Sequence, residues 1–94
     1  MKYLVRMRVT PPREPHPEFE RRKQEEKAMA LRLQREGTWV HLWRVVGAYE
    51  NYSVFEVADH DALHELLMGL PLAPWLDHQV VPLAVHPSSL EANP

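Results

Sequence analysis

Residues Lys2 to Thr10 alternate: Tyr3, Val5, Met7 and Val9 fall on one side, and Lys2, Arg6 and Arg8 on the other. A period of two over that length predicts a half-buried strand. Pro11 and Pro12 stop it, and the proline-rich stretch to Pro17 reads as a loop. From Glu18 to Glu36 there is neither Gly nor Pro, and Glu, Lys, Arg, Leu, Ala and Gln dominate, which predicts a long helix ended by Gly37. Thr38 to Val46 is rich in Trp, Val and Leu and suits a strand. Gly47 to Glu50 turns it back into a second strand, Asn51 to Val57. Asp59 is a good N-cap for a short helix from His60 to Gly69, with Leu63, Leu66 and Leu67 at helical spacing. Pro71 and Pro74 mark a further loop. Gln79 to Val85 predicts a last strand, bent at Pro82 and therefore placed at an edge or bulge, and Pro87 to Pro94 reads as irregular.

Strand, helix, strand, strand, helix, strand is the order of the split βαβ, or ferredoxin-like, α+β arrangement. It predicts a single domain over residues 1–94, with a four-stranded antiparallel sheet and both helices on one face. The other face then needs water or a partner, and three Trp residues favour a partner.

Composition narrows the function. A chain of 94 residues buries only about 60–65% of its unfolded surface. With no cysteine, disulfides and thiolate metal sites are excluded, so oligomerisation is the expected support. Net charge is −2, from 11 basic and 13 acidic residues, which gives no reason to attract a nucleic-acid backbone. Charge returns by Arg6, which reads against a signal-peptide core, and no apolar run has a membrane-spanning length. The expected location is the cytoplasm.

Candidate chemistry begins on the long helix, where Phe19, Lys23, Glu26, Ala30 and Leu33 share one stripe. Lys23 and Glu26 are anomalous among core residues. Three positions apart, they are able to touch and to face the sheet together. Burial raises a carboxylate pKa and an ammonium lowers it, so Glu26 is a candidate for proton transfer; the alternative is a surface ion pair. In the hairpin, a two-residue turn at Tyr49-Glu50 puts Arg44, Val46, Ser53 and Phe55 on one face, with His41, Trp43, Tyr52 and Glu56 on the other. Arg44 on an apolar face suits a substrate carboxylate, or else pairs with a carboxylate of the protein itself. His41, between Trp39 and Trp43, reads more readily as an interface histidine than as a base. His60 and His64 are spaced like a zincin pair, but the pattern places no third ligand, so a solvated helix end is expected. Three glycines form no phosphate loop, and Ser88-Ser89 has no nearby base.

Leu33-Gln34-Arg35-Glu36-Gly37-Thr38-Trp39, His41-Leu42-Trp43-Arg44 and Asn51-Tyr52-Ser53-Val54-Phe55 resemble the muconolactone isomerase family. So do Leu63-His64, Leu70-Pro71-Leu72 and His86-Pro87-Ser88-Ser89, and the resemblance spans essentially the whole chain. It implies a ferredoxin-like subunit in a ring-like assembly of dimers, a decamer. It also implies conversion of muconolactone to 3-oxoadipate enol-lactone without metal or organic cofactor, in the β-ketoadipate route of aromatic breakdown. Lys23 and Glu26 fall where the family has a lysine and a glutamate in its pocket. Three features depart from the family pattern: the proline-rich loop, Trp75 where tyrosine is common, and His60.

On that reading Glu26 is the base, Lys23 stabilises the developing oxyanion or tunes Glu26, and Arg44 holds the carboxymethyl group with help from Asn51 or Ser53. His41 is the second choice of acid/base. The competing expectations are a ferredoxin-like small-molecule-binding or sensor domain, an isomerase of methyl-substituted lactones, and a cofactor-free monooxygenase.

Overall fold

The computed structural model describes residues 1–94. The elements are β1 (Lys2–Val9), α1 (Pro17–Glu36), β2 (Trp39–Arg44), β3 (Glu50–Glu56), α2 (His60–Met68), a 3-10 turn (Ala73–Trp75) and β4 (Leu76–Leu83). The sheet order is β2-β3-β1-β4 with every neighbouring pair antiparallel, which is the ferredoxin-like arrangement the element order predicts.

Local chemistry sets the helix ends. His16 caps α1, its ring nitrogen accepting from the Phe19 N–H, and Pro17 occupies the first turn, where no amide donor is needed. Gly37 ends the helix at φ 85°, a left-handed conformation that favours glycine. Asp59 caps α2 as expected, accepting from the Ala62 N–H at 2.8 Å. The last strand differs from expectation: it begins at Leu76 and ends at Leu83, not Gln79 to Val85. The 3-10 turn at Ala73–Trp75 delivers the chain to the sheet edge early. Pro82 is tolerated because β4 pairs only with β1.

The core lies between the sheet and the helices. Tyr3, Val5 and Met7 of β1 are buried there with Phe55, Trp39, Ala30, Leu33, Leu63 and Leu67. The opposite sheet face carries no helix. It presents Leu4, Arg6 and Arg8 of β1, His41 and Trp43 of β2, Tyr52 and Val54 of β3, and Gln79 and Val81 of β4.

The hairpin departs from the expected turn. Arg44 lies opposite Asn51, not Phe55, because the loop is longer and turns at Gly47 with φ 80°. The displacement is an even number of residues, so Arg44 and Ser53 stay on the helix-side face and His41, Trp43, Tyr52 and Glu56 on the open one. Val46 alone loses its place, being 97% exposed at the turn. A second irregularity has more effect. Trp39 pairs with Phe55 but His41 with Val54, so Val40 is an extra residue on β2. This bulge turns Trp39 to the helix-side face and leaves His41 and Trp43 on the open face.

Candidate active site

A cleft of about 300 Å³ opens between α1 and the helix-side face of β2 and β3. That is the lower end of the range for small-molecule sites, roughly 300–1,000 Å³. Helix α1 supplies one wall through Lys23, Glu26, Lys27, Ala30, Leu31 and Gln34, which recur at helical spacing. The sheet and its loops supply the other wall, with Trp39, Leu42, Arg44, Tyr49 and Asn51, and Leu72 and Leu76 close one end.

Glu26 is half-buried in this wall. Its carboxylate accepts one hydrogen bond, from the Leu72 N–H at 3.0 Å. Burial pushes its carboxyl above the ordinary glutamate value, and the Leu72 hydrogen bond offsets only part of that effect. A carboxylate that is accessible to a cleft and more basic than usual is suited to taking up a proton.

Lys23 borders the same cleft, but its ammonium pairs with Glu20 at 3.1 Å and makes no ion pair with Glu26. The two residues therefore face one cavity without touching, which corrects the contact expected from their spacing. Glu20, three positions earlier on the helix, offers Lys23 an exposed carboxylate within reach, while the Glu26 carboxylate is tied to the Leu72 N–H.

Arg44 stands at the other end of β2 from Trp39, over the Tyr49 ring at 5.4 Å. No carboxylate of the chain pairs with it. Asn51, its cross-strand neighbour, also borders the cleft. The Ser53 hydroxyl donates to Asn51 Oδ1 at 2.7 Å, which leaves the Asn51 amide N–H groups for the cleft. Ser53 itself is fully buried and is not part of the lining, so its place is behind Asn51.

His41 is not brought into this group. It stacks on Trp43 with ring centroids 4.8 Å apart, on the open side of the sheet, so the sheet separates it from Glu26 within one subunit. His60 is exposed at the first residue of α2, the solvated helix end that was expected, and its Nδ1 also meets the buried Tyr3 hydroxyl. Ser88 and Ser89 lie in the exposed C-terminal segment, where Ser89 Oγ donates to the His86 carbonyl.

Lys27, Gln34, Trp39 and Tyr49 are cleft residues that sequence reasoning did not single out. Lys27 was in reach, being four residues after Lys23 on the same wall. Trp39 was not, because the Val40 bulge that turns it inward has no sequence signal.

The comparisons with known proteins agree with this architecture. The family model described as muconolactone delta-isomerase matches residues 1–89. The muconolactone delta-isomerase of Cupriavidus pinatubonensis is 54% identical over 91 residues, covering 96% of this chain and 99% of that protein. That of Pseudomonas aeruginosa is 49% identical over 94 residues, covering 99% and 98%. A crystal structure of muconolactone isomerase superposes with a TM-score of 0.87 at 48% identity, over 96% of this chain and 95% of that one. Matches at this level, over nearly the whole chain, show that the chain belongs to the muconolactone delta-isomerase family.

Proposed function

We propose that this cleft isomerises muconolactone to 3-oxoadipate enol-lactone, with Glu26 carrying the proton. The observation that carries the assignment of the base is the half-buried Glu26 carboxylate, made more basic by burial and open to a cleft of substrate size.

The reaction moves one proton across an allylic unit. Glu26 removes hydrogen from the ring carbon bearing the carboxymethyl arm. The electrons of that bond form a new ring double bond, and the old double bond shifts toward the lactone carbonyl. The resulting dienolate holds its negative charge on the carbonyl oxygen. Glu26, now protonated, returns the proton to the carbon beside the carbonyl, and the dienolate collapses to the product. The two carbons are separated by one ring atom, so a single carboxyl group on one face of the ring serves both steps. Its raised pKa narrows the gap to a weak carbon acid and so helps the removal, and the return is downhill because the dienolate is a far stronger base than the carboxylate.

Arg44 and Asn51, cross-strand neighbours with free donors, hold the carboxylate of the arm. Ser53 fixes the Asn51 amide so that its donors face the ligand. Lys23 and Lys27 keep the cleft positive, which favours an anionic substrate and the added charge of the dienolate. The product is an enol-lactone of the β-ketoadipate route of aromatic breakdown, and the cytoplasm is the proposed compartment. No helix is long and apolar enough to cross a membrane.

The bare sheet face supports a homo-oligomer built from dimers, and the family resemblance suggests a decamer. Trp43 is 56% exposed on that face, with Tyr52 and Val81 also open, an apolar surface that another subunit would cover.

The test is an ultraviolet or NMR assay of the purified protein with muconolactone, beside Glu26→Gln. Turnover in the parent that collapses in a folded variant supports both reaction and base. Turnover that survives the substitution moves the base elsewhere. No turnover in the parent overturns the substrate.

A further inference from the structure

Trp39 has an unsatisfied donor. The residue is 2% exposed, and its indole Nε1–H is buried with no acceptor anywhere in the chain. Buried indole N–H groups nearly always find a partner, so an orphan beside a cavity marks the place of an absent acceptor. Trp39 is also one of the residues that line the cleft, together with Glu26, Arg44 and Asn51.

The ring is held in place. The Val40 bulge turns it to the helix-side face, Trp39 pairs with Phe55 across the strands, and the two rings lie 4.8 Å apart. Two other donors around the cleft are engaged elsewhere. Lys23 pairs with Glu20, and the Gln34 side-chain amide donates to the Ala30 carbonyl at 3.1 Å. Arg44 and Asn51 sit side by side and suit a carboxylate.

Trp39 and Arg44 are the first and last residues of β2, and both face the helices. The lactone has a matching polarity: its carbonyl and its carboxymethyl arm leave the ring from the two carbons flanking the ring oxygen, in diverging directions. With the arm at Arg44, the carbonyl points toward the Trp39 end and Glu26 of α1 faces the ring between them.

We infer that the Trp39 indole N–H donates the hydrogen bond that receives the lactone carbonyl oxygen and strengthens as that oxygen becomes the dienolate oxyanion. This rests on the isomerase reading above. A neutral donor in a dry wall suits this task, because it stabilises developing charge without surrendering a proton and needs no reorganisation.

Trp39→Phe keeps an aromatic ring against Phe55 and removes the donor. The expected result is a kcat lower by about 10²-fold with KM changed far less, since the bond matters most in the transition state. A spectroscopic readout separates this from a packing defect. In the wild-type protein the indole N–H resonance that persists in Trp43→Phe and Trp75→Phe belongs to Trp39. It should move downfield on adding the saturated lactone that carries the carboxymethyl arm. It should stay in place with the carbonyl-free tetrahydrofuran analogue. An unmoved resonance with the lactone, or a folded Trp39→Phe enzyme within threefold of wild-type kcat, overturns the assignment. If wild-type protein does not turn muconolactone over, the isomerase reading fails by itself, and the lactone titration still decides whether Trp39 is a carbonyl donor. The titration also decides if Trp39→Phe does not fold.

Discussion

Glu26 and Leu72 are tied by a single hydrogen bond, the Leu72 N–H donating to the Glu26 carboxylate at 3.0 Å across 46 positions of sequence. It fastens the middle of α1 to the loop that closes one end of the cleft. The same segment is held at its flanks, where Arg22 donates to the Pro71 carbonyl at 3.4 Å and the Trp75 ring meets Phe19 edge-on at 5.1 Å. The proposed base therefore sits on a rigid helix with one oxygen oriented by backbone, and its other oxygen is left for substrate.

Glu26→Gln should lower kcat by about 10²- to 10⁴-fold, the usual range for losing a positioned general base. In the parent, kcat/KM should fall on the acid side with a pKa above the ordinary glutamate value, because the base must be ionised and burial opposes ionisation. The stability effect has the opposite sense. A raised folded-state pKa means the folded protein is penalised wherever Glu26 is charged, so Glu26→Gln should melt higher than the parent at neutral pH. The difference should shrink as pH falls through the raised value and close below the ordinary one. Thermal melts of both proteins against pH, beside the kinetic profile, check both limbs.

Arg44→Gln should raise KM roughly 10- to 100-fold with a smaller change in kcat, as expected for a charge-assisted hydrogen bond to a carboxylate remote from the reacting carbons. Ser53→Ala should act in the same direction but more weakly, by freeing the Asn51 amide to rotate. Initial rates over a range of muconolactone concentrations separate the two parameters. A loss confined to kcat in Arg44→Gln would remove it from the carboxylate.

His78 should give the protein a histidine-dependent acid sensitivity. Both of its ring nitrogens are buried without partners, and burial lowers its pKa, with Asp77 opposing in part. Its folded pKa lies below the unfolded one. The contribution is therefore fully present above the ordinary histidine value, shrinks as pH falls through that value, and levels off at the folded pKa. His78→Leu should remove this slope. The check is the difference in melting temperature between parent and variant from neutral pH downward.

Trp43→Glu should break the assembly without emptying the cleft, because Trp43 lies on the opposite face of the sheet from Glu26. Sedimentation should show smaller species in the variant than in the parent. An unchanged sedimentation profile would place the subunit contacts elsewhere.

The order of elements, both helix caps supplied by Asp59 and Gly37, and the sides of β1 were legible from residue type and spacing, because these features depend on local backbone preference and on periods of two and 3.6. The anomalous Glu26 was legible for the same reason: a carboxylate on a core-facing stripe contradicts its own pattern. Even the mistaken hairpin turn left Arg44 and Ser53 on the correct face, since a shift by an even number of residues preserves the alternation.

What the tertiary structure decided depends on contacts between distant segments. The Val40 bulge put Trp39 into the cleft wall and left His41 and Trp43 outside, because pairing with β3 and packing under α1 outweigh strict alternation along one strand. Lys23 pairs with the exposed Glu20 and Glu26 is tied to Leu72, a choice of partners that spacing alone does not contain. The raised pKa of Glu26, the hydrogen bond from Leu72 and the placement of Ser53 behind Asn51 all arise where separate elements meet. The sequence by itself determined which residues were able to do chemistry and the family to which they belong. Only packing decided which of them share one cavity, because burial and long-range register are properties of the assembled chain.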